Sequence, residues 1–238
     1  SLYNSKNYSI ISKADISGLA LEKEGFALTG NFKIDGEFKG AVDNNDSLSY
    51  DGTITYDALN LAKTGVEYSL RSGSGKGSFS TKKLMIESLD GKISHIDVSA
   101  KGKLDYSKDP ASFEMYIKTG KTDISKFIEL LPPAFREKFA EIKITGIASC
   151  AVNIGGVPQD PSRWQYSGNV ALQNTSVALK QWPGRLDDLS STIYFKEDSL
   201  TWEDASFKHK SVEYNSRGTL INFKIPSINA SLKSDRLD

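Results

Sequence analysis

Between Phe26 and Phe38 apolar and polar residues alternate one for one. Phe26, Leu28, Phe32, Ile34 and Phe38 fall on one side with Gly30 and Gly36 in register, while Thr29, Asn31, Lys33, Asp35, Glu37 and Lys39 take the other. Successive side chains of a strand point to opposite faces, so a period of two reads as a long strand, or a hairpin, with one apolar face. The rhythm returns in ITYDALNL, VEYSLRS, LMIES, KISHIDVSAKGKL and ASFEMYIKTG, and again after Ile144. A chain patterned this way must hide one face of its sheet by closing, by folding over, or by holding an apolar ligand.

One stretch departs from that period. From Lys121 to Ile144, Ile124, Phe127, Ile128 and Leu131 lie at i, i+3, i+4 and i+7, and Thr122 or Asp123 stands where a helix cap belongs. Pro132 disfavours helix in the residue before it, so Leu131 is the expected end. Pro133 suits the first position of a second short helix, on which Phe135, Phe139 and Ile142 would share a face. The expectation is two short helices around a Pro-Pro elbow, an amphipathic plug on a β core.

Turns are expected at Asp43–Ser47, at Asp90-Gly91, at Lys108-Asp109-Pro110 and over Ser72–Ser78, SGSGKGS, as a mobile hairpin tip. The first lacks the Gly and Glu that a calcium loop needs, and the last lacks the ending and following helix of a phosphate loop. Ser1–Tyr8 reads as a frayed lead-in.

The segments on either side of the helical stretch match at a fixed offset. Tyr50 and Gly52 pair with Tyr166 and Gly168, Leu84 and Glu87 with Leu200 and Glu203, and Gly102 and Leu104 with Gly218 and Leu220, all 116 residues apart. Phe113, Met115 and Ile117 align with Ile228, Ala230 and Leu232 at 115, which asks for one gap. Matched positions that keep their order indicate an internal duplication. The expected plan is a first β unit over 1–121, a helical connector over 122–142 and a second β unit over 143–238. Together they would form one continuous structural domain, all-β with a short helical insert, as a curled antiparallel sheet or elongated groove. The first residue is Ser, not Met, which suggests a fragment of a longer chain.

The second unit resembles the C-terminal repeat of the AsmA-like family of bacterial envelope proteins. Gly168, Leu186, Leu189, Ile193, Phe195, Leu200, Gly218, Leu220 and Phe223 occupy the positions of its diffuse Gly-and-hydrophobic pattern, and an LLP segment precedes them. The resemblance covers about Ile124–Asp238, with the first unit fainter. It implies a hydrophobic β-groove that takes part in phospholipid transport between inner and outer membranes or in outer-membrane homeostasis. It also implies a periplasmic location, with an inner-membrane anchor in segments not present here. The partners implied are a phospholipid or other acyl-chain lipid, and other envelope proteins.

The residues themselves argue for the same absence of chemistry. Thirty basic side chains balance thirty acidic ones without a basic cluster, which speaks against nucleic acid as a partner. A single Cys, Cys150, rules out an internal disulfide, and its place in an alternating run reads as an inert strand thiol. His95 and His209 lack ligand-spaced neighbours, so no metal and no cofactor are expected. Asp187-Asp188 and Glu203-Asp204 are sequence neighbours, and strand neighbours face opposite ways, so neither makes a carboxylate dyad. An enzyme is not expected.

Alternation selects the groove-lining candidates: Phe26, Leu28, Phe32, Ile34, Phe38, Ile54, Leu84, Ile86, Val170, Leu172, Leu200, Trp202 and Leu220. Trp164 and Trp182, with Trp202, add large apolar anchors to the second unit. The competing reading is a non-catalytic structural or interaction module with a filled interior. A surface adhesin is a third, for which the sequons at Asn7, Asn45, Asn174 and Asn229 would matter.

Overall fold

The computed structural model describes residues 7–23, 25–41, 44–65, 69–130, 136–137, 141–180, 184–223 and 225–234. It holds fourteen strands: β1 (Asn7–Lys23), β2 (Phe26–Ala41), β3 (Asn44–Lys63), β4 (Leu70–Ser80), β5 (Lys83–Ile93), β6 (Ile96–Asp105), β7 (Ser112–Thr119), β8 (Thr122–Asp123), β9 (Ile142–Val157), β10 (Asp160–Leu179), β11 (Arg185–Lys196), β12 (Ser199–His209), β13 (Val212–Ile221) and β14 (Ser227–Ser234). One six-residue helix, α1 (Ile124–Glu129), follows β8. The strands form a single antiparallel sheet in chain order, except that β8 leaves the path to pair with β9, so the molecule is all-β with a short helical insert. Apart from β7, whose outer neighbour is β9, each strand on that path is bonded to the next one along the chain, which is what short turns between long one-faced strands permit.

The chain groups into two compact units. One comprises 1–117 with 154–164, the other 118–153 with 165–238. In the first, alternation predicts burial through the middle of β2, where Leu28, Gly30, Phe32, Ile34 and Gly36 are covered and Thr29, Asn31, Lys33 and Asp35 are exposed. Phe32 is 8% exposed and Ile96 only 1%. A single layer attains such burial by bending, so that side chains on one face crowd together. The opposite face is stitched by cross-strand ion pairs, Lys13 to Asp35 at 3.0 Å and Lys92 to Asp97 at 3.1 Å, each contributing a few tenths of a kcal/mol up to about 1 kcal/mol.

The 116-residue offset extends to the hydrogen-bond register of the two copies. Gly52 pairs with Phe79, Phe79 with Leu84 and Leu84 with Leu104; at the same offset Gly168 pairs with Phe195, Phe195 with Leu200 and Leu200 with Leu220. Irregularities repeat too. The bulge in β3 between Tyr56 and Leu59 recurs in β10 between Leu172 and Thr175, and that in β5 between Ile86 and Leu89 recurs in β12 between Trp202 and Ala205. Positive φ angles follow: 51° at Ala58 and 48° at Asn174, 51° at Ser72 and 53° at Asp188, 54° at Ser94 and 48° at Lys210. Gly30 and Gly146, at the same offset, each pass close beside the bulged strand, where a Cβ would meet the backbone of Leu59 or of Thr175. Bulges are built features of a sheet, and their recurrence at one offset is the structural signature of duplication.

Several local expectations are corrected. SGSGKGS is not a hairpin tip: it lies inside β4, with Gly73, Gly75 and Gly77 opposite Leu59, Tyr56 and Ile54. Glycine is a weak strand former, and here large side chains from the neighbouring strand take the space it leaves. Asp90-Gly91 is also strand, within β5, and the turn comes at Ser94-His95. Asn44 already belongs to β3, so the expected turn at Asp43–Ser47 is strand from its second residue, while Asp43 is outside the described residues. Tyr8 is strand, not lead-in. The turn around Lys108-Asp109-Pro110 is where expected.

In the helical stretch, Asp123 holds the N-cap position but makes no side-chain capping bond, and Thr122 and Asp123 pair as β8 with Ala148 and Ile147. The helix stops at Glu129 with Leu130 as its C-cap; Leu131, the Pro-Pro pair, Phe135 and Phe139 lie outside the described residues. Ile142 begins β9 and so is not on a second helical face.

Candidate functional site

In the first unit the register lays the apolar face out as transverse rows. One row runs Ile16, Phe32, Tyr56, Gly75, Leu89, Ala100; the next Ala14, Ile34, Ile54, Gly77, Ile86, Gly102; the next Ser12, Gly36, Gly52, Phe79, Leu84, Leu104. Directly opposed residues in a sheet share a face, so these side chains form one patch. At its outer end Phe38, Tyr50 and Phe79 make a chain of rings with centroids 6.1 and 6.2 Å apart.

The patch opens into an apolar hollow of about 340 Å³ lined by Leu84, Ile86, Leu104, Phe113, Met115, Pro158 and Trp164, with Lys103 at its margin. Trp164 is fixed there: its Nε1 donates to the Val157 carbonyl at 2.9 Å, and its ring meets Phe113 edge-on at 5.3 Å. The indole still leaves 43% of its surface in solvent. It stands at the rim with its polar atom spent on the backbone, leaving an apolar ring to whatever enters. Lys103, the cation in that lining, is paired with Glu114 at 3.0 Å.

Eight of the thirteen candidates lie in this unit. Phe32, Ile34, Ile54, Leu84 and Ile86 belong to the three rows; Leu28 lies farther along β2 on the same face. Phe26 is exposed at the strand's start, with the Lys63 ammonium 4.8 Å from its ring centre, and Phe38 is exposed at the other end. Only Leu84 and Ile86 line the hollow itself. Sequence reasoning missed Tyr56, Phe79, Leu104, Phe113, Met115 and Trp164. Tyr56, Leu104, Phe113 and Met115 carry the alternation that would have found them, whereas Phe79 becomes visible only through the glycines it covers.

The other five candidates lie in the second unit, again on one face. Val170, Ile193, Trp202 and Gly218 form one row, Gly168, Phe195, Leu200 and Leu220 the next, and Leu172 is buried opposite Ser191. Trp202 is half-buried, its Nε1 donating to Ser216 Oγ at 3.1 Å. Trp182 is outside the described residues. The hollows here are polar, about 590 and 480 Å³, and both are lined by Glu203 and Asp204. That corrects the expectation for this pair: the bulge between Trp202 and Ala205 interrupts the alternation that would have sent them to opposite faces. Asp187 and Asp188 stay apart, the first beside Arg185 at 2.6 Å and the second held by Lys208 at 2.9 Å.

Cys150 is half-buried, with its backbone N–H donating to Thr119 Oγ1 at 2.8 Å, and desolvation pushes its thiol above the ordinary value. At neutral pH it is therefore protonated and a poor nucleophile. Among the described residues no three His, Cys, Asp or Glu side chains gather to hold a metal ion, and no helix is long and apolar enough to cross a membrane. No protein-family model, curated protein or solved structure matches the chain.

Proposed function

We propose that this protein binds acyl-chain lipid on the apolar face of its first unit, as a non-catalytic lipid-holding segment of a bacterial envelope protein of AsmA-like type. On this reading the lipid is a phospholipid in transit between inner and outer membranes. The observation that carries the proposal is the three-row patch ending in the hollow beneath Trp164. Its volume is at the small end of the roughly 300–1,000 Å³ of ordinary ligand sites, enough for a chain segment, and its apolar lining suits a chain better than a headgroup. Each methylene withdrawn from water there contributes about 0.8 kcal/mol, so binding needs no directional contact, and the headgroup stays in solvent.

The reading is tested by native mass spectrometry of the purified protein with extraction of bound molecules. Phospholipid is expected to co-purify, and to be lost from Leu84→Asp and from Met115→Trp, which respectively charges and fills the hollow, with unchanged circular dichroism. Phe32→Glu would be uninformative, since Phe32 is core. A protein that carries no lipid and takes up no fluorescent fatty acid overturns the proposal.

A structural or interaction module is the better reading for the second unit, whose hollows are polar. Where the first copy has Gly73, Gly75, Gly77 and Gly91, the second has Leu189, Ser191, Ile193 and Phe207, so the same face is occupied by its own side chains.

A further inference from the structure

The two copies differ on the face turned away from the apolar rows. In the second unit Asn169, Tyr194 and Thr201 stand opposite one another, one residue out of step with Val170, Ile193 and Trp202, and so lie on the other side of the sheet. Thr192, opposite Ala171, shares that side. In the first copy this face carries long side chains joined by charge: Lys76 pairs with Glu87 at 3.5 Å and Lys103 with Glu114 at 3.0 Å. At the offset of 116, Lys76 becomes Thr192 while Glu87 is kept as Glu203; Lys103 becomes Thr219, and Glu114, at 115, becomes Asn229. A hollow stands at the site of each lost lysine. Thr192 and Glu203 line the one of about 480 Å³, and Thr219 and Asn229 the one of about 590 Å³.

Three further exchanges change the chemistry of the 480 Å³ hollow. Asp57 of the first copy becomes Gln173, Ser78 becomes Tyr194 and Ser88 becomes Asp204, and all three of the later residues line it. Tyr194 keeps 47% of its surface in solvent. Among the described residues no cation pairs with Glu203 or Asp204. One concave surface thus combines carboxylates that accept, an amide and hydroxyls that donate and accept, and an aromatic ring. It lies over β10, β11 and β12, each flanked by a strand on both sides, so neither end of the sheet borders it.

We propose that this hollow binds a saccharide. Sugar hydroxyls donate to the Glu203 and Asp204 carboxylates and accept from the Gln173 amide and the Thr192 hydroxyl, while the C–H face of a pyranose ring lies on Tyr194. A small cation in the place of the missing ammonium is the competing occupant. An exposed ion pair contributes about 1 kcal/mol at most, and Lys76 and Glu87 are 63% and 41% exposed where the first copy makes that pair, so charge alone holds such a ligand weakly. A saccharide engages the neutral groups as well, and the volume is within the roughly 300–1,000 Å³ of ordinary ligand sites. The site belongs to the second unit alone, so its occupancy does not depend on lipid in the first.

Labelled protein applied to a printed array of neutral, acidic and amino oligosaccharides, followed by calorimetric titration of the best neutral glycan, tests this. Wild-type protein is expected to bind at least one neutral glycan. Thr192→Lys, which restores the lysine of the first copy, should abolish binding, and Tyr194→Ser, which restores its serine, should weaken binding about tenfold or more. Both introduce a residue that the first copy already accommodates, and unchanged urea midpoints verify the fold. Gln173→Ala, which removes the amide without adding bulk, should weaken binding as well. A protein that binds no glycan, binding that survives Thr192→Lys, or binding that neither Tyr194→Ser nor Gln173→Ala weakens overturns the proposal. So does retention by charged glycans or spermidine alone, which would assign the hollow to an ionic ligand.

Discussion

Two phenylalanines illustrate how single residues hold this sheet together. Phe79 lies over Gly52, where a Cβ would come within 2.6 Å of its ring, and Phe195 lies over Gly168, where the figure is 2.9 Å. Each ring supplies the side-chain surface that the glycine lacks, while the glycine lets the backbone of the previous strand approach. Phe79→Ala and Phe195→Ala should each lower unfolding stability by about 2–4 kcal/mol, read from urea midpoints, because the ring and the space beneath it are lost together. Asp105 is one residue through which acid should act. The Ser107 hydroxyl, and then its backbone N–H, hold that carboxyl below the ordinary 3.8 against the opposing effect of desolvation. A depressed folded value means a stabilising contribution that is complete above the ordinary value and lost as pH falls through the lower folded one. Below about pH 4, wild-type protein should therefore lose stability more steeply than Asp105→Asn, in urea titrations at stepped pH.

At the scale of elements, the two copies keep one register while exchanging which strand carries the bulk. Leu59 faces Gly73 in the first, and Thr175 faces Leu189 in the second. Gly73→Leu alone should cost about 1–3 kcal/mol, since a Cβ there would lie 3.1 Å from that of Leu59. Adding Leu59→Thr should restore much of it, giving a favourable coupling of about 1 kcal/mol or more in a double-mutant cycle of denaturation midpoints. This exchange also marks what the sequence makes legible. One-faced strands such as β2 announce themselves, and so does the offset, because both depend on spacing along a single strand. β4 does not: SGSGKGS has the composition of a turn, and it is strand only because Tyr56, Ile54 and Leu59 stand across from it. Bulges are hidden for the same reason, being defined by a count against a partner strand; this is why Glu203 and Asp204 were assigned to opposite faces. The hollow is half legible: Leu84 and Ile86 follow from alternation, whereas Pro158, in the β9–β10 turn, and Trp164, in β10, reach it from far along the chain.

For the whole molecule, the order of strands matters more than their number. Hydrogen-bonded neighbours are neighbours in sequence throughout the main path, with only β8 stepping aside. Pairings of this kind close short loops, and the entropy of loop closure is the cost that makes most large β proteins slow to fold. The strand that any segment needs is the one just made or the one made next, so the sheet can be assembled in the order in which a ribosome releases it, each hairpin serving as the template for the following strand.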